Sequence, residues 1–232
     1  MKKSLSALAN GMILCFSLNS CVDTKVAGTM TSSETQESSS SISTKYGVSL
    51  TDSRDGQIYK TVVIGKQTWM AQNLNYASLS GSMCYGDSTE YCSTYGRLYT
   101  WDSAKAICPM GWHLPSDSEW VSMEEFIGMD SSDAVYGGYR GSNQGTQLKA
   151  DTTLWHYNTG TNSIGFSAIP GGYFNGTKFT ISNNYAYFWT STVFGDSSQA
   201  WSRALISNYP SILRTLLPES NSLSVRCIQS LM

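Results

Sequence analysis

TWDSAKAICPMGWHLPSDSEW, residues 100–120, carries two helix starts and one enforced stop in a single short run. Thr100 is a suitable N-cap for a short helix over Trp101–Cys108, and Pro109, which has no N–H to donate, ends it. Trp112-His113-Leu114 reads as a short extended piece. Ser116-Asp117-Ser118-Glu119 then has the capping-box pattern, in which the serine and the glutamate satisfy each other's backbone donors. That opens a second helix to about Ile127, with Trp120, Met123 and Ile127 recurring at helical spacing.

On the N-terminal side, the turn signal Ser53-Arg54-Asp55-Gly56 precedes Gln57–Ile64, rich in β-branched and aromatic residues. Gly65-Lys66 separates it from Gln67–Gln72, so a β-hairpin is expected. Tyr76 to Tyr95 reads as polar loop carrying Cys84 and Cys92. On the C-terminal side, Gly128 to Gly165 is rich in Gly, Ser and Asn and reads as a long surface excursion. Short strands are expected at Phe166–Ile169, Tyr173–Phe174, Ala186–Thr190, Ala200–Leu205 and Ser224–Ile228. Helices first and strands after them predict an α+β domain: two short helices plus small antiparallel sheets, loop-rich.

The ends of the chain have a different character. Lys2 and Lys3 precede an apolar stretch from Ala7 to Leu18, too short for a permanent span, which reads as a signal peptide over 1–20. Leu18-Asn19-Ser20-Cys21 resembles the bacterial lipobox, which implies lipidation of Cys21 and a membrane lipid as partner. In residues 29–44, eleven of sixteen are Ser or Thr, and such a segment cannot bury enough surface to offset its ordering entropy. Residues 21–46 are therefore expected to be a tether and 47–232 the domain. Without 1–20 the chain has thirteen basic and seventeen acidic residues, which argues against nucleic acid as a partner. The expected location is the bacterial outer membrane or cell surface.

Several separated segments carry a family resemblance. They are Trp69-Met70-Ala71-Gln72-Asn73-Leu74-Asn75-Tyr76, Tyr95-Gly96-Arg97-Leu98-Tyr99-Thr100-Trp101, Cys108 to Ser116 (CPMGWHLPS) and Glu119-Trp120. Further on come Gly165-Phe166-Ser167-Ala168, Pro170-Gly171-Gly172-Tyr173, Phe188-Trp189-Thr190-Ser191-Thr192 and Ser224-Val225-Arg226-Cys227. In this order they resemble the Fibrobacter succinogenes major paralogous domain family, a resemblance that implies bacterial lipoproteins and delivers no activity. The run Thr100–Cys108 with Leu114 and Glu119-Trp120 is also similar to the first-helix region of C-type lectin-like domains. Leu114 to Trp120 is similar to formylglycine-generating enzymes, which share that fold.

Four cysteines remain beyond the leader, and an even number in an oxidising compartment reads as a disulfide framework with three possible pairings. Cys84 and Cys92 can close a short polar loop. The lectin-like resemblance implies that Cys108, at the end of the first helix, joins Cys227 in the last strand. A divergent enzyme of the formylglycine-generating type would instead need a free cysteine pair. His113 and His156 lack zinc-ligand spacing, and His113 between Trp112 and Leu114 reads as a hydrogen-bonded structural imidazole. Asn183, Asn184 and Asp196 read as turn residues, not a calcium loop. No metal and no cofactor is expected, and no catalytic constellation is recognised. Trp69, Trp101, Trp112, Trp120 and Trp189 lie in the family segments and are expected in the core. Tyr136, Tyr139, Trp155, Tyr157 and Trp201 lie in or beside loop-like segments and are the ligand-binding candidates. The function this implies is a non-catalytic glycan- or protein-binding module of the cell envelope, with a divergent enzyme of the formylglycine-generating type as the alternative and an adhesive or structural coat component as a further one.

Overall fold

The computed structural model describes residues 45–180 and 182–231. Cys21, the leader and the tether as far as residue 44 lie outside the described residues. The N-terminal part is a series of short strands: β1 (Lys45–Tyr46), β2 (Leu50–Thr51), β3 (Ile58–Tyr59), β4 (Thr61–Ile64), β5 (Gln67–Met70) and β6 (Ser82–Met83). A 3-10 turn at Tyr85–Asp87 leads to α1 (Thr89–Tyr95), β7 (Leu98–Thr100), α2 (Trp101–Ala106), β8 (Trp112–His113) and α3 (Asp117–Phe126). Next come α4 (Ser131–Ala134), β9 (Gly138–Arg140) and α5 (Gln144–Leu148). The rest is strand: β10 (Tyr173–Phe174), β11 (Phe179–Thr180), β12 (Tyr185–Val193), β13 (Gln199–Ile206), β14 (Ile212–Pro218), β15 (Ser222–Ser224) and β16 (Ile228–Gln229).

The domain is α+β, loop-rich and mostly antiparallel. One sheet has the order β1-β4-β5-β16-β8, and a larger one runs β11-β10-β15-β12-β13-β14-β9, with β7 on β15 and β6 on β7. Within the larger sheet β12 and β15 pair in parallel, Phe188 opposite Ser224. Lys45 and Tyr46, assigned to the tether from composition, pair with Val63 and Val62 as the edge strand of the smaller sheet. The Gly65-Lys66 turn does join a hairpin, with Val62 opposite Trp69.

Packing is organised around two cores. In the first, Trp69, Trp120, Phe166 and Phe188 meet edge-on or tilted, Trp69 and Trp120 having ring centroids 5.0 Å apart. This geometry suits the aromatic quadrupole and excludes water from the space between α3 and the sheets. In the second, Trp101 and Ala104 of α2 cover Trp189, Ala200, Leu223 and Val225. Trp112, expected in the core, is only half-buried. The capping box forms: the Ser116 hydroxyl accepts from Glu119 N–H, and the Glu119 carboxylate accepts from Ser116 N–H at 2.7 Å. Thr100 is the N-cap of α2 without a side-chain cap bond.

Residues 128–165 differ from the sequence reading. They hold two helices and a strand, and Met129, Ala134, Leu148, Trp155 and Ile164 are buried in the first core. The glycines do not make the segment a free excursion. Gly128, Gly138, Gly141 and Gly165 take positive φ, and so turn the chain back onto the sheet. Similarly, α1 lies inside the stretch read as polar loop. It is too short for its one buried pair, Cys92 and Tyr95, to stand out as a periodic pattern, and the Cys84–Cys92 disulfide ties it down, Cα atoms 5.1 Å apart. A second disulfide joins Cys108, just past α2, to Cys227, with Cα atoms 5.9 Å apart.

A buried ionic network docks α3 on the large sheet. Glu124 accepts from Arg140 of β9 at 2.7 and 2.9 Å and from Arg203 of β13 at 2.7 Å. Asp117 accepts from Arg203 at 2.7 Å and from Arg214 of β14 at 2.8 and 3.0 Å. Three strands are thereby held in register against one helix by forked, charge-assisted bonds.

A tyrosine face as candidate functional site

Alternation along a strand sends successive side chains to opposite faces. In β12, Ala186 and Phe188 join the first core, which leaves Tyr185 and Tyr187 on the other face. Register then fixes their neighbours. Tyr187 lies opposite Ala204, Ala204 opposite Leu213, and Leu213 opposite Tyr139 of β9, giving one row across four strands. Ala204, fully buried, and Leu213 lie between the phenol rings of Tyr187 and Tyr139.

Two further tyrosines extend it. Tyr173 of β10 packs on Tyr187 with ring centroids 4.5 Å apart, and Tyr209 stacks on Tyr139 at 4.9 Å and 19°. Tyr139 and Tyr209 are 53% and 43% exposed, whereas Tyr173, Tyr185 and Tyr187 are half-buried. Burial pushes the Tyr187 phenol up, and the neighbouring phenols of Tyr173, Tyr185 and Tyr139 add to it. Tyr139 is raised by burial first and then by Tyr209 and Tyr185. These two therefore stay neutral at physiological pH, each an apolar ring with one donor–acceptor hydroxyl.

Tyr209 sits in the β13–β14 turn, and that turn is held from below. The Lys149 ammonium, fully buried at the end of α5, donates to the carbonyls of Ile206, Ser207 and Tyr209 at 2.9, 3.0 and 2.9 Å and to Thr159 Oγ1 at 2.6 Å. Burial lowers its pKa to about 8, because these oxygens satisfy its hydrogens without supplying a full negative charge. Gly145 sits where a Cβ would come within 2.3 Å of Ser211 O, so the turn packs directly on the α5 backbone. Thr146 N–H also donates to Pro210 O at 3.2 Å.

Of the residues singled out in the sequence, Tyr139 belongs to this face. Trp155 does not. It is 2% exposed, its Nε1–H donates to Ala168 O at 3.1 Å, and it belongs to the first core. Trp201 alternates with Ser202 and so faces the opposite way, under the Arg214 guanidinium at 3.5 Å. Tyr136 is exposed beyond α4, and Tyr157 packs edge-on against His156 instead of joining the cluster. Tyr173, Tyr185, Tyr187 and Tyr209 escaped the sequence reading. The Tyr-x-Tyr alternation at 185–187 was visible there, but not the strands that would be laid beside it. Among the described residues no group of three or more His, Cys, Asp or Glu is placed to hold a metal ion. Nor is any described helix long and apolar enough to cross a membrane.

The family segments are joined in space as well as ordered in sequence. Asn73 accepts from Arg226 Nε at 2.6 Å, and the same guanidinium, 1% exposed, donates to the carbonyls of Met70, Phe166 and Ser167. Three of the segments thus meet on one buried arginine, and the model of the Fibrobacter succinogenes major domain family matches residues 62–229. The chain belongs to this family. In this Fibrobacter succinogenes major domain the segments that carry the resemblance supply much of the frame, whereas Tyr139, Tyr185, Tyr187 and Tyr209 fall outside them. Neither the curated proteins nor the solved structures gave a match.

Proposed function

We propose that this protein is a bacterial envelope lipoprotein, anchored by a lipid on Cys21, whose C-type-lectin-like domain binds a glycan on its tyrosine face. The observation that carries the reading is the group of five neighbouring tyrosines on one face of the larger sheet. A pyranose ring offers an apolar C–H face and a rim of hydroxyls, and tyrosine offers a matching apolar face and hydroxyl. Aromatic side chains with few rotatable bonds also lose little entropy when a ligand orders them. Support for the lectin-like frame comes from the Cys108–Cys227 bridge between the end of α2 and the last strands.

The test is capture of the full chain on an array of neutral and acidic glycans. Binding to neutral glycans is expected, and Tyr139→Ala and Tyr209→Ala should each weaken it about tenfold, about 1.4 kcal/mol. Tyr136→Ala should leave it unchanged. Capture that ignores Tyr139 and Tyr209, or no capture of any glycan, would overturn the assignment. Anchoring is tested separately. Cys21→Ala should move the chain from the membrane fraction to the soluble one or leave its leader uncleaved, and unchanged detergent partitioning would count against it.

A further inference from the structure

A second site shares no residue with the tyrosine face. Strands β8 and β16 pair so that His113 lies opposite Ile228, and Ser230 N–H donates to Gly111 O at 2.9 Å. This pairing brings the last residues of the chain alongside the start of α3. Ser230 Oγ lies 2.9 Å from His113 Nδ1, and His113 Nε2 lies 2.9 Å from Glu119 Oε1. The second Glu119 oxygen is occupied by Ser116 N–H at 2.7 Å and Ser116 Oγ at 2.8 Å, so the carboxylate cannot swing away. An ionised carboxylate only accepts, which places the imidazole proton on Nε2 and leaves Nδ1 to accept from the serine hydroxyl. Burial works against the Glu119 charge, but the bonds from Ser116 and His113 outweigh it and hold the carboxyl below its ordinary range.

The three groups lie on the wall of a cleft of about 760 Å³, whose other walls include Ile64, Phe126, Ile228 and Leu231, with Lys66 at the hairpin turn. The side chains of His113 and Glu119 are 40% and 30% exposed, so the chain of groups is open to a bound molecule.

We propose that Ser230, His113 and Glu119 form a hydrolytic site for carboxylic esters with an apolar acyl chain. A nucleophile in hydrogen-bond reach of a base, itself oriented by a third group, is recognised by geometry and not by chain order. Ser230 Oγ attacks the ester carbonyl carbon, and its proton passes to His113 Nδ1. The carbon–oxygen bond to the alcohol breaks, and the alcohol leaves with that proton. Water then attacks the acyl-serine, again giving a proton to His113, and releases the carboxylic acid with Ser230 restored. Glu119 is a positioning residue: it fixes the tautomer and stabilises the imidazolium. The cleft takes the acyl chain.

The experiment measures hydrolysis of p-nitrophenyl butyrate and octanoate by the full chain, with fluorophosphonate labelling mapped by mass spectrometry. Hydrolysis above buffer background, label on Ser230 and at least a hundredfold loss in Ser230→Ala are expected. The Ser230 side chain carries one hydrogen bond, to His113, so Ser230→Ala should fold, checked by an unchanged melting temperature. Glu119→Gln keeps a capping-box residue at that position. It should lower kcat with KM unchanged, because the imidazolium that forms in the step loses its carboxylate, a split that a purely structural loss would not give. No hydrolysis above background, label on another residue, or a Ser230→Ala rate equal to that of the wild type would each overturn the proposal.

Discussion

Lys149 brings a charge into the interior and meets it with uncharged oxygens and the face of the Trp155 ring, and this has a consequence for stability. Its folded pKa of about 8 lies below the unfolded value of about 10.4, so between these the unfolded chain binds more protons. Stability should therefore rise as pH climbs from about 8 toward about 10. Above that, tyrosines such as Tyr59, raised by burial to about 12, ionise first in the unfolded chain and reverse the trend. Urea midpoints measured from pH 7 to 11 should show this rise and fall, and Lys149→Met should lose the rise. Trp155 and Tyr139 give the contrast between core and surface. Trp155→Ala should cost about 3–5 kcal/mol, as expected for a buried tryptophan, while Tyr139→Ala should leave the melting temperature nearly unchanged. Equal losses at the two positions would show that Tyr139 is part of the core.

At the scale of the element, α3 is the helix that the sequence describes best and the one on which most depends. Its cap, its start and its apolar positions Trp120, Met123 and Ile127 are local facts, and all three side chains are buried. The ionic network on the same buried face is not local. Asp117 and Glu124 read as ordinary helix carboxylates until Arg140, Arg203 and Arg214 arrive from three strands. Burial opposes the Asp117 charge, but Arg214 and Arg203 outweigh it and hold its pKa below the ordinary value. A depressed carboxylate pKa contributes stability above the unfolded value, near 4, and that stability is lost as pH falls through the folded pKa. Asp117→Asn should thus lower stability at pH 7 by about 3 kcal/mol, since two guanidinium groups lose a buried partner. It should also flatten the acid limb of the stability curve, measured by thermal melts from pH 2 to 7.

For the whole molecule, the two disulfides differ in what they constrain. Cys84–Cys92 spans 8 residues and Cys108–Cys227 spans 119. On the chain-entropy account the short loop is worth about 2.5 kcal/mol and the long one about 5 kcal/mol. The long bridge also fixes α2 against the final strands, where Leu223, Val225 and Cys227 close the second core. Cys227→Ala should therefore unfold the domain at a much lower urea concentration than Cys92→Ala. Equal midpoints for the two variants would show that the long bridge adds nothing beyond the core packing.

What the chain determines by itself is what neighbouring residues settle among themselves. The capping box at Ser116, the stop at Pro109 and the turn at Gly65-Lys66 depend on hydrogen bonds and dihedral limits within a few positions. The pattern of segments that identifies the family is likewise read along the chain. The interior of residues 128–165 was hidden because glycine and asparagine look alike in a free loop and in a turn that folds back. Only packing on the sheet separates the two. The tyrosine face was hidden for a related reason. Tyr139, Tyr173, Tyr187 and Tyr209 are far apart in sequence, and register across four strands, with Lys149 holding the last turn, decides that they meet. The pairing of β8 with β16 likewise brings Ser230 to His113 across more than a hundred residues. Such contacts are properties of the closed fold, because no local interaction specifies them until the sheets have formed.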